Sequence, residues 1–211
     1  MALSLLVFDC DGVILESLDV KTRAFYRIGL DFGQEAAERL VMYHRLHGGV
    51  SRYEKFTWLY EQFADHPITD EEKKALNDRF VNVALDEITR CALVPGVQAT
   101  LDAWKGRVPM YVASGAPEEE LRFVLERRGL SGYFDDIRGY PPHKTYLLEA
   151  IVSRSGVDPA QCVMVGDSVT DLRAAESVGT LFYGRGSDFS GGPWPWHDDL
   201  TRLNEYLESL V

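Results

Sequence analysis

Asp9 and Asp11 stand two residues apart, directly after an apolar run over residues 3–8 and just before Gly12. Two carboxylates this close repel each other unless something positive holds them. A hard divalent cation does so well, because carboxylate oxygens are its natural ligands. An Asp-x-Asp pair is common in solvated loops, so its meaning depends on what else the chain supplies. Ser114-Gly115 follows a second apolar run, 108–113, and Asp167 follows a third, 162–165, with Asp171 four residues further on. Lys144 lies between the second and third runs. Each group has a use in phosphoryl transfer. Asp9 suits a nucleophile, since carboxylates form aspartyl-phosphates. Asp9 and Asp167 suit Mg²⁺, which offsets their repulsion and draws charge from phosphoryl oxygens. Ser114 and the amides after it, Gly115 first, suit hydrogen bonding to those oxygens. Lys144 supplies a charge that stabilises both Asp9 and the transferring group. Asp11 suits protonation of the leaving oxygen and later activation of water.

These groups act together only if the chain brings them to one place. The apolar runs are short and bounded by glycine or acids, as strands buried on both faces are. From residue 93 onward strands and helices alternate, with further strand candidates at 137–139 and 181–183, which implies a mostly parallel sheet covered on both sides. In such a sheet the strand ends meet at one edge, where ligands bind. Pro117 with three following glutamates reads as a helix start. Residues 145–154 and 170–178 read as helices, and Leu200, Leu203, Leu207 and Leu210 as a last amphipathic one. Residues 185–196, rich in Gly, Ser and Pro, read as a surface loop. Residues 17–92 differ in texture: the periodicity is helical, with a capping box at Thr69-Asp70-Glu71-Glu72. The expectation is an all-helical segment over 17–92, inserted into an α/β core made of 1–16 and 93–211.

Composition narrows the partners. The chain has 211 residues, 45% hydrophobic and 26% charged, with a formal net charge of −11. That acidity argues against nucleic acid, whose phosphates need a basic patch. An anionic substrate must therefore be drawn by a metal or a placed lysine. Residues 1–8 lack the basic start of a signal peptide, and no apolar run approaches the ~20 residues of a membrane span. Three scattered cysteines without metal-ligand spacing suggest a reduced, cytoplasmic setting. Monomer and homodimer both remain open.

The order Asp9-Cys10-Asp11-Gly12-Val13, Ser114-Gly115, Lys144 and Gly166-Asp167-Ser168-Val169-Thr170-Asp171 resembles the four motifs of the haloacid dehalogenase-like hydrolase superfamily. The resemblance implies a Rossmann-like core with Asp9 as nucleophile and Asp11 as acid and base. It implies Mg²⁺ held by Asp9, the Asp11 backbone carbonyl and Asp167, with Asp171 supporting the metal site through water. Segment 17–92 is then similar to the small helical cap of phosphoglycolate phosphatases and β-phosphoglucomutases. Gly49-Val50-Ser51-Arg52 resembles a cap segment that places an arginine, here Arg52, on a substrate's second anionic group. The third motif departs from the common Lys-Pro-x-Pro, reading Lys144-Thr145-Tyr146-Leu147. The implied activity is a Mg²⁺-dependent phosphatase of a small phosphorylated metabolite. The alternatives are a sugar-phosphate mutase and a non-catalytic binding relative. His44 and His47 are read as surface or packing residues.

Overall fold

The computed structural model describes residues 2–211. Its centre is strand β1, Leu5–Phe8, whose four side chains are all fully buried. Burying side chains of this size contributes about 1.5–3 kcal/mol each, which fixes this stretch in the middle of the molecule. The other strands are β2 (Met110–Pro117), β3 (Asp136–Tyr140), β4 (Cys162–Gly166), β5 (Leu181–Arg185) and β6 (Trp196–His197). All pair in parallel, in the order β3-β2-β1-β4-β5-β6. The order reverses between β1 and β4, and a crevice opens at such a switch point.

Alternation along β1 builds two cores. Leu6 and Phe8 join Leu101, Trp104, Leu125 and Leu203 on one face. These come from α5 (Val97–Trp104), α6 (Glu118–Arg127) and α9 (Leu203–Glu208). Leu5 and Val7 join Leu148, Ile151 and Ala175 on the other, from α7 (Lys144–Ser155) and α8 (Val169–Val178). The result is a three-layer Rossmann-like α/β fold.

Between β1 and α5 lie four helices, α1 (Leu18–Gly29), α2 (Gln34–Leu46), α3 (Arg52–Phe63) and α4 (Asp70–Arg90). Their apolar faces meet around Phe25, Phe56 and Phe80. The helices α1 and α2 approach closely because Gly29 has no side chain: a Cβ there would lie 2.5 Å from the Ala37 Cα. The capping box opens α4 as the sequence suggests, with Thr69 and Glu72 bonded reciprocally. The chain leaves the sheet and returns to it through two adjacent segments, bonded from Glu16 N–H to Ala92 O (2.9 Å) and from Val94 N–H to Ile14 O (3.1 Å). Among the described residues no helix is long and apolar enough to cross a membrane.

Three expectations need correction. The strand β2 does not stop at Ala113 but runs through Ser114 and Gly115 to Pro117, where it still pairs with Tyr140 of β3 after an irregular stretch. Pro117 is at once the last residue of β2 and the N-cap of α6, whose first turn carries the three glutamates as the sequence suggests. Residues 185–196 are not a plain surface loop. The Phe189 side chain turns inward onto Phe182, with ring centroids 5.0 Å apart, into space left by Gly184, where a Cβ would lie 2.5 Å from the Phe189 ring. The chain then adds β6 to the sheet edge. The last helix is shorter than its leucines suggest, although Leu200, Leu203 and Leu207 are all buried.

Candidate active site

Register carries the ends of three strands to one level. Phe8 pairs with Val112 on one side and Val165 on the other, so Asp9, Ser114 and Asp167 emerge together. They line one pocket with Asp11, Gly115 and Ala116 from the sheet edge. The facing wall is helical, with Leu18, Lys21, Phe25, His44, Gly48, Gly49, Val50, Arg52, Lys55 and Phe80. The cavity enclosed between them is small, about 60 Å³.

Asp9 is buried, and Lys144 Nζ stands 2.9 Å from its Oδ1. That contact is an ion pair rather than an aligned hydrogen bond, since Asp9 Oδ1 has no hydrogen-bond partner among the described residues. Burial pushes the Asp9 carboxyl up to about 7; Lys144 opposes the rise, while Asp171 and Asp11 add to it. Lys144 is the first residue of α7 and is itself buried. Burial alone would lower its ammonium, but Asp171 and Asp9 outweigh that and hold it above the usual lysine range. Asp171 also accepts from the Ser168 N–H (3.0 Å) and Oγ (2.6 Å), closing the capping box of α8. Asp171 thus clamps the lysine behind Asp9. It can sit there because Gly166 is bare: a Cβ would meet the Asp171 Cβ at 2.2 Å.

Asp167 rests over Gly12, where a Cβ would lie 2.1 Å from its Oδ2 and where φ is +77°. Loss of water contact and the neighbouring Asp9 and Asp171 push its carboxyl well above the usual range. Asp11 is different. Burial would raise it, but an ion pair with Lys21 and a 2.6 Å hydrogen bond from Ser17 Oγ hold it below the usual range. Ser114 is buried, and its Oγ accepts the Ala116 N–H at 3.2 Å.

One oxygen each from Asp9, Asp167 and Asp171 lies within 4.8 Å of the others. With Asp171 occupied by Lys144 and Ser168, Asp9 and Asp167 remain as an oxygen-only pair that repels itself. That donor set fits a hard cation such as Mg²⁺.

The sheet edge and the helical wall touch. Thr170 Oγ1 donates to Gly48 O at 2.6 Å, and a Cβ on Gly115 would meet Gly49 O at 2.1 Å. Gly115→Ala should therefore push the two walls apart. Steady-state kinetics and melting curves should show kcat/KM lowered about 10²-fold, as for a misplacement near 1 Å, with little change in Tm. Unchanged kinetics would mean that this contact does not set the reacting geometry.

Of the residues singled out in the sequence, Asp9, Asp11, Ser114, Gly115, Asp167 and Arg52 line this pocket, while Lys144 and Asp171 stand behind Asp9. Arg52 opens α3 after the N-cap Ser51. Its guanidinium is engaged: it pairs with Glu120 of α6, lies 3.5 Å from Asn77 Oδ1, and sits 4.1 Å over the Phe80 ring. His44 is buried against Phe25 rather than at the surface, and His47 is exposed. Lys21, Lys55 and Glu120 had no motif to mark them. Lys55 follows Arg52 by three residues on one helix and so shares its face, at the end of a stretch, 44–55, rich in basic groups.

Fold and site together define a Rossmann-like α/β enzyme with its acidic groups gathered at the carboxyl edge of a parallel sheet. The family model of the haloacid dehalogenase-like hydrolases matches residues 3–179, and the chain belongs to that family. It is 28% identical over 181 residues to a phosphorylated carbohydrates phosphatase of Thermotoga maritima, covering 82% of this chain and 80% of that protein. It is 27% identical over 198 residues to a phosphoglycolate phosphatase of Escherichia coli, covering 82% and 77%. Among solved structures, a β-phosphoglucomutase from Clostridium difficile superposes with a TM-score of 0.82 at 21% identity, over 99% of this chain and 96% of that one.

Proposed function

We propose that this enzyme is a Mg²⁺-dependent phosphatase that cleaves a small phosphomonoester through an aspartyl-phosphate on Asp9. One observation carries the reading: a buried Asp9 backed by Lys144, with Asp11, Ser114 and Asp167 around the same pocket. The names of the relatives support it, since they act on phosphorylated carbohydrates and phosphoglycolate. The helices α1–α4 serve as a cap that closes over the site and keeps bulk water out. Three unpaired cysteines and a metabolite substrate suit a cytoplasmic enzyme, as a monomer or homodimer.

Asp9, the Asp11 backbone carbonyl and Asp167 would hold Mg²⁺, which when bound offsets their repulsion and withdraws charge from the phosphoryl oxygens. Lys144, Ser114 and the Gly115 amide orient the phosphoryl group and stabilise its charge. Asp9 forms the new O–P bond as the bond to the leaving oxygen breaks, and Asp11 gives that oxygen its proton. Asp11, now a carboxylate, takes a proton from water as the water oxygen attacks phosphorus. Phosphate leaves, Asp9 is restored, and Asp11 is again protonated. Lys21 and Ser17 hold the Asp11 carboxyl below its usual range in the arrangement seen, so Asp11 takes up a proton from solvent, with one of those contacts loosened, before it acts as the acid.

A second reading, a sugar-phosphate mutase, is favoured by the closeness of the two walls at Gly49 and Gly115, because excluding water lets a second sugar phosphate take the group instead. Phosphate release from a panel of phosphoglycolate, sugar monophosphates and nucleotides, with Mg²⁺ and with EDTA, decides between them. Metal-dependent release concentrated on one compound class is expected. Release from none overturns the phosphatase, and turnover only with a bisphosphate primer establishes the mutase.

A further inference from the structure

The charges around the pocket pair off, with two left over. Lys144 is held by Asp9 and Asp171, Lys21 by Asp11, and Arg52 by Glu120. Asp167 has no cationic side chain within 4 Å among the described residues, and its place beside Asp9 suits the metal. Lys55 is the other group with no ion-pair partner in contact. It is 3% exposed and lines the pocket, yet among the described residues no carboxylate lies within 4 Å of its ammonium. The neighbouring Glu54 has its Oε1 3.6 Å from His143 Nδ1.

What Lys55 does have is His44. Its Nζ stands 3.0 Å from His44 Nδ1, and 5.3 Å from the centre of the Phe25 ring. Burial first, and then the charge of Lys55, hold the imidazole down at about 2, so His44 is neutral and accepts from the ammonium. A neutral acceptor orients a buried cation without cancelling it. Burial first, and then Lys21, lower the Lys55 ammonium to about 7, although Asp11 and Glu54 pull against them from a distance. A buried, unpaired charge is costly, and a ligand that brings the opposite sign removes the cost.

We propose that Lys55, oriented by His44, binds a second negatively charged group on the substrate, so that the preferred phosphomonoesters carry a carboxylate or a further phosphate besides the one cleaved. The proposal rests on the phosphatase reading above. It moves the second-anion role away from Arg52, whose charge is already satisfied by Glu120, and onto the residue one turn further along α3. Arg52 then ties the helical wall to α6.

The test uses the Mg²⁺-loaded enzyme and matched pairs of esters. Phosphoglycolate is set against 2-hydroxyethyl phosphate, which replaces its carboxylate by a hydroxymethyl group. Fructose 1,6-bisphosphate is set against fructose 1-phosphate. The unaltered enzyme should prefer the more anionic member of one pair by about tenfold or more in kcat/KM, and the pair that shows it tells carboxylate from phosphate. Lys55→Met should shrink that ratio about tenfold, chiefly through KM, and Lys55→Arg should restore part of it. Equal turnover within both pairs, or a ratio unmoved in Lys55→Met, overturns the assignment. The first arm needs no variant, so it stands even if Lys55→Met does not fold. Release from the members that lack the second anionic group, at the same rate as from their partners, would leave the phosphatase reading intact while removing this one. Release from none of the four would fail both.

Discussion

Asp9→Asn should abolish turnover while leaving the fold at least as stable as before. The amide has the size of the carboxylate but cannot form the O–P bond, and removing a nucleophile lowers kcat on the order of 10⁴-fold or more. Stability follows from the surroundings of Asp9. Burial together with Asp171 and Asp11 raises its carboxyl to about 7, against an ordinary value of 3.8. An acid raised in this way favours the folded state only while protonated. That contribution is complete below 3.8 and is lost as pH rises through about 7. Above that point the metal-free enzyme carries a buried charge that Lys144, shared with Asp171, only partly offsets. Asparagine removes the charge, so at pH 8 in EDTA the variant should melt no lower than the parent enzyme. Added Mg²⁺ should raise the parent's Tm and raise the variant's less. Residual turnover near the parent level would remove Asp9 from the chemistry. A collapsed melting transition would make the residue structural.

The parts of this site that were legible in the sequence are those whose reasons lie within a few residues. An apolar run that ends in Asp9, or in Asp167, declares a buried strand and its exit, and the Thr69–Glu72 cap is contained in four positions. The motif order then placed Lys144 without any contact being visible. What could not be read depends on how separate elements turn toward each other. Arg52 and Glu120 are 68 positions apart, and their pairing follows from the rotation of α3 and its seating on α6. Lys21 finds Asp11, and Lys55 finds His44, only because α1, α2 and α3 share a core around Phe25. The extension of β2 past Ser114 rests on main-chain pairing with β3, which leaves no mark in side-chain pattern. Phe189 turns inward because Gly184 leaves room, and a glycine in a strand does not announce what will fill it.

Lys144→Met should be the most destabilising single change at the site, and its cost should depend on pH. The side chain is nearly the same length, so the loss is chiefly one of charge. Asp9 and Asp171 both rely on this ammonium. Breaking a buried pair from one side costs about 3–5 kcal/mol, because the partner remains as an uncompensated charge. In the parent enzyme the ammonium is raised above its ordinary 10.5, so its stabilisation is complete below about 10.5 and lost only at higher pH. Between pH 5 and 9 the lysine itself therefore contributes a constant. In the variant the pH dependence comes from Asp9, whose carboxyl, already raised to about 7, rises further without the lysine. Protonated Asp9 is tolerated and ionised Asp9 is not. The Tm deficit of Lys144→Met should accordingly be small at pH 5 and widen through pH 8, with turnover undetectable at both. A deficit that is flat with pH would mean that packing, rather than charge, is what Lys144 supplies. Lys144→Arg separates the two roles: it returns a cation to the carboxylates and so recovers much of the Tm at pH 8. Its planar fork displaces the charge from where Lys144 Nζ meets Asp9 Oδ1, so kcat should stay low. Stability restored without activity would show that the site needs a positive charge at one position, and not only a positive charge.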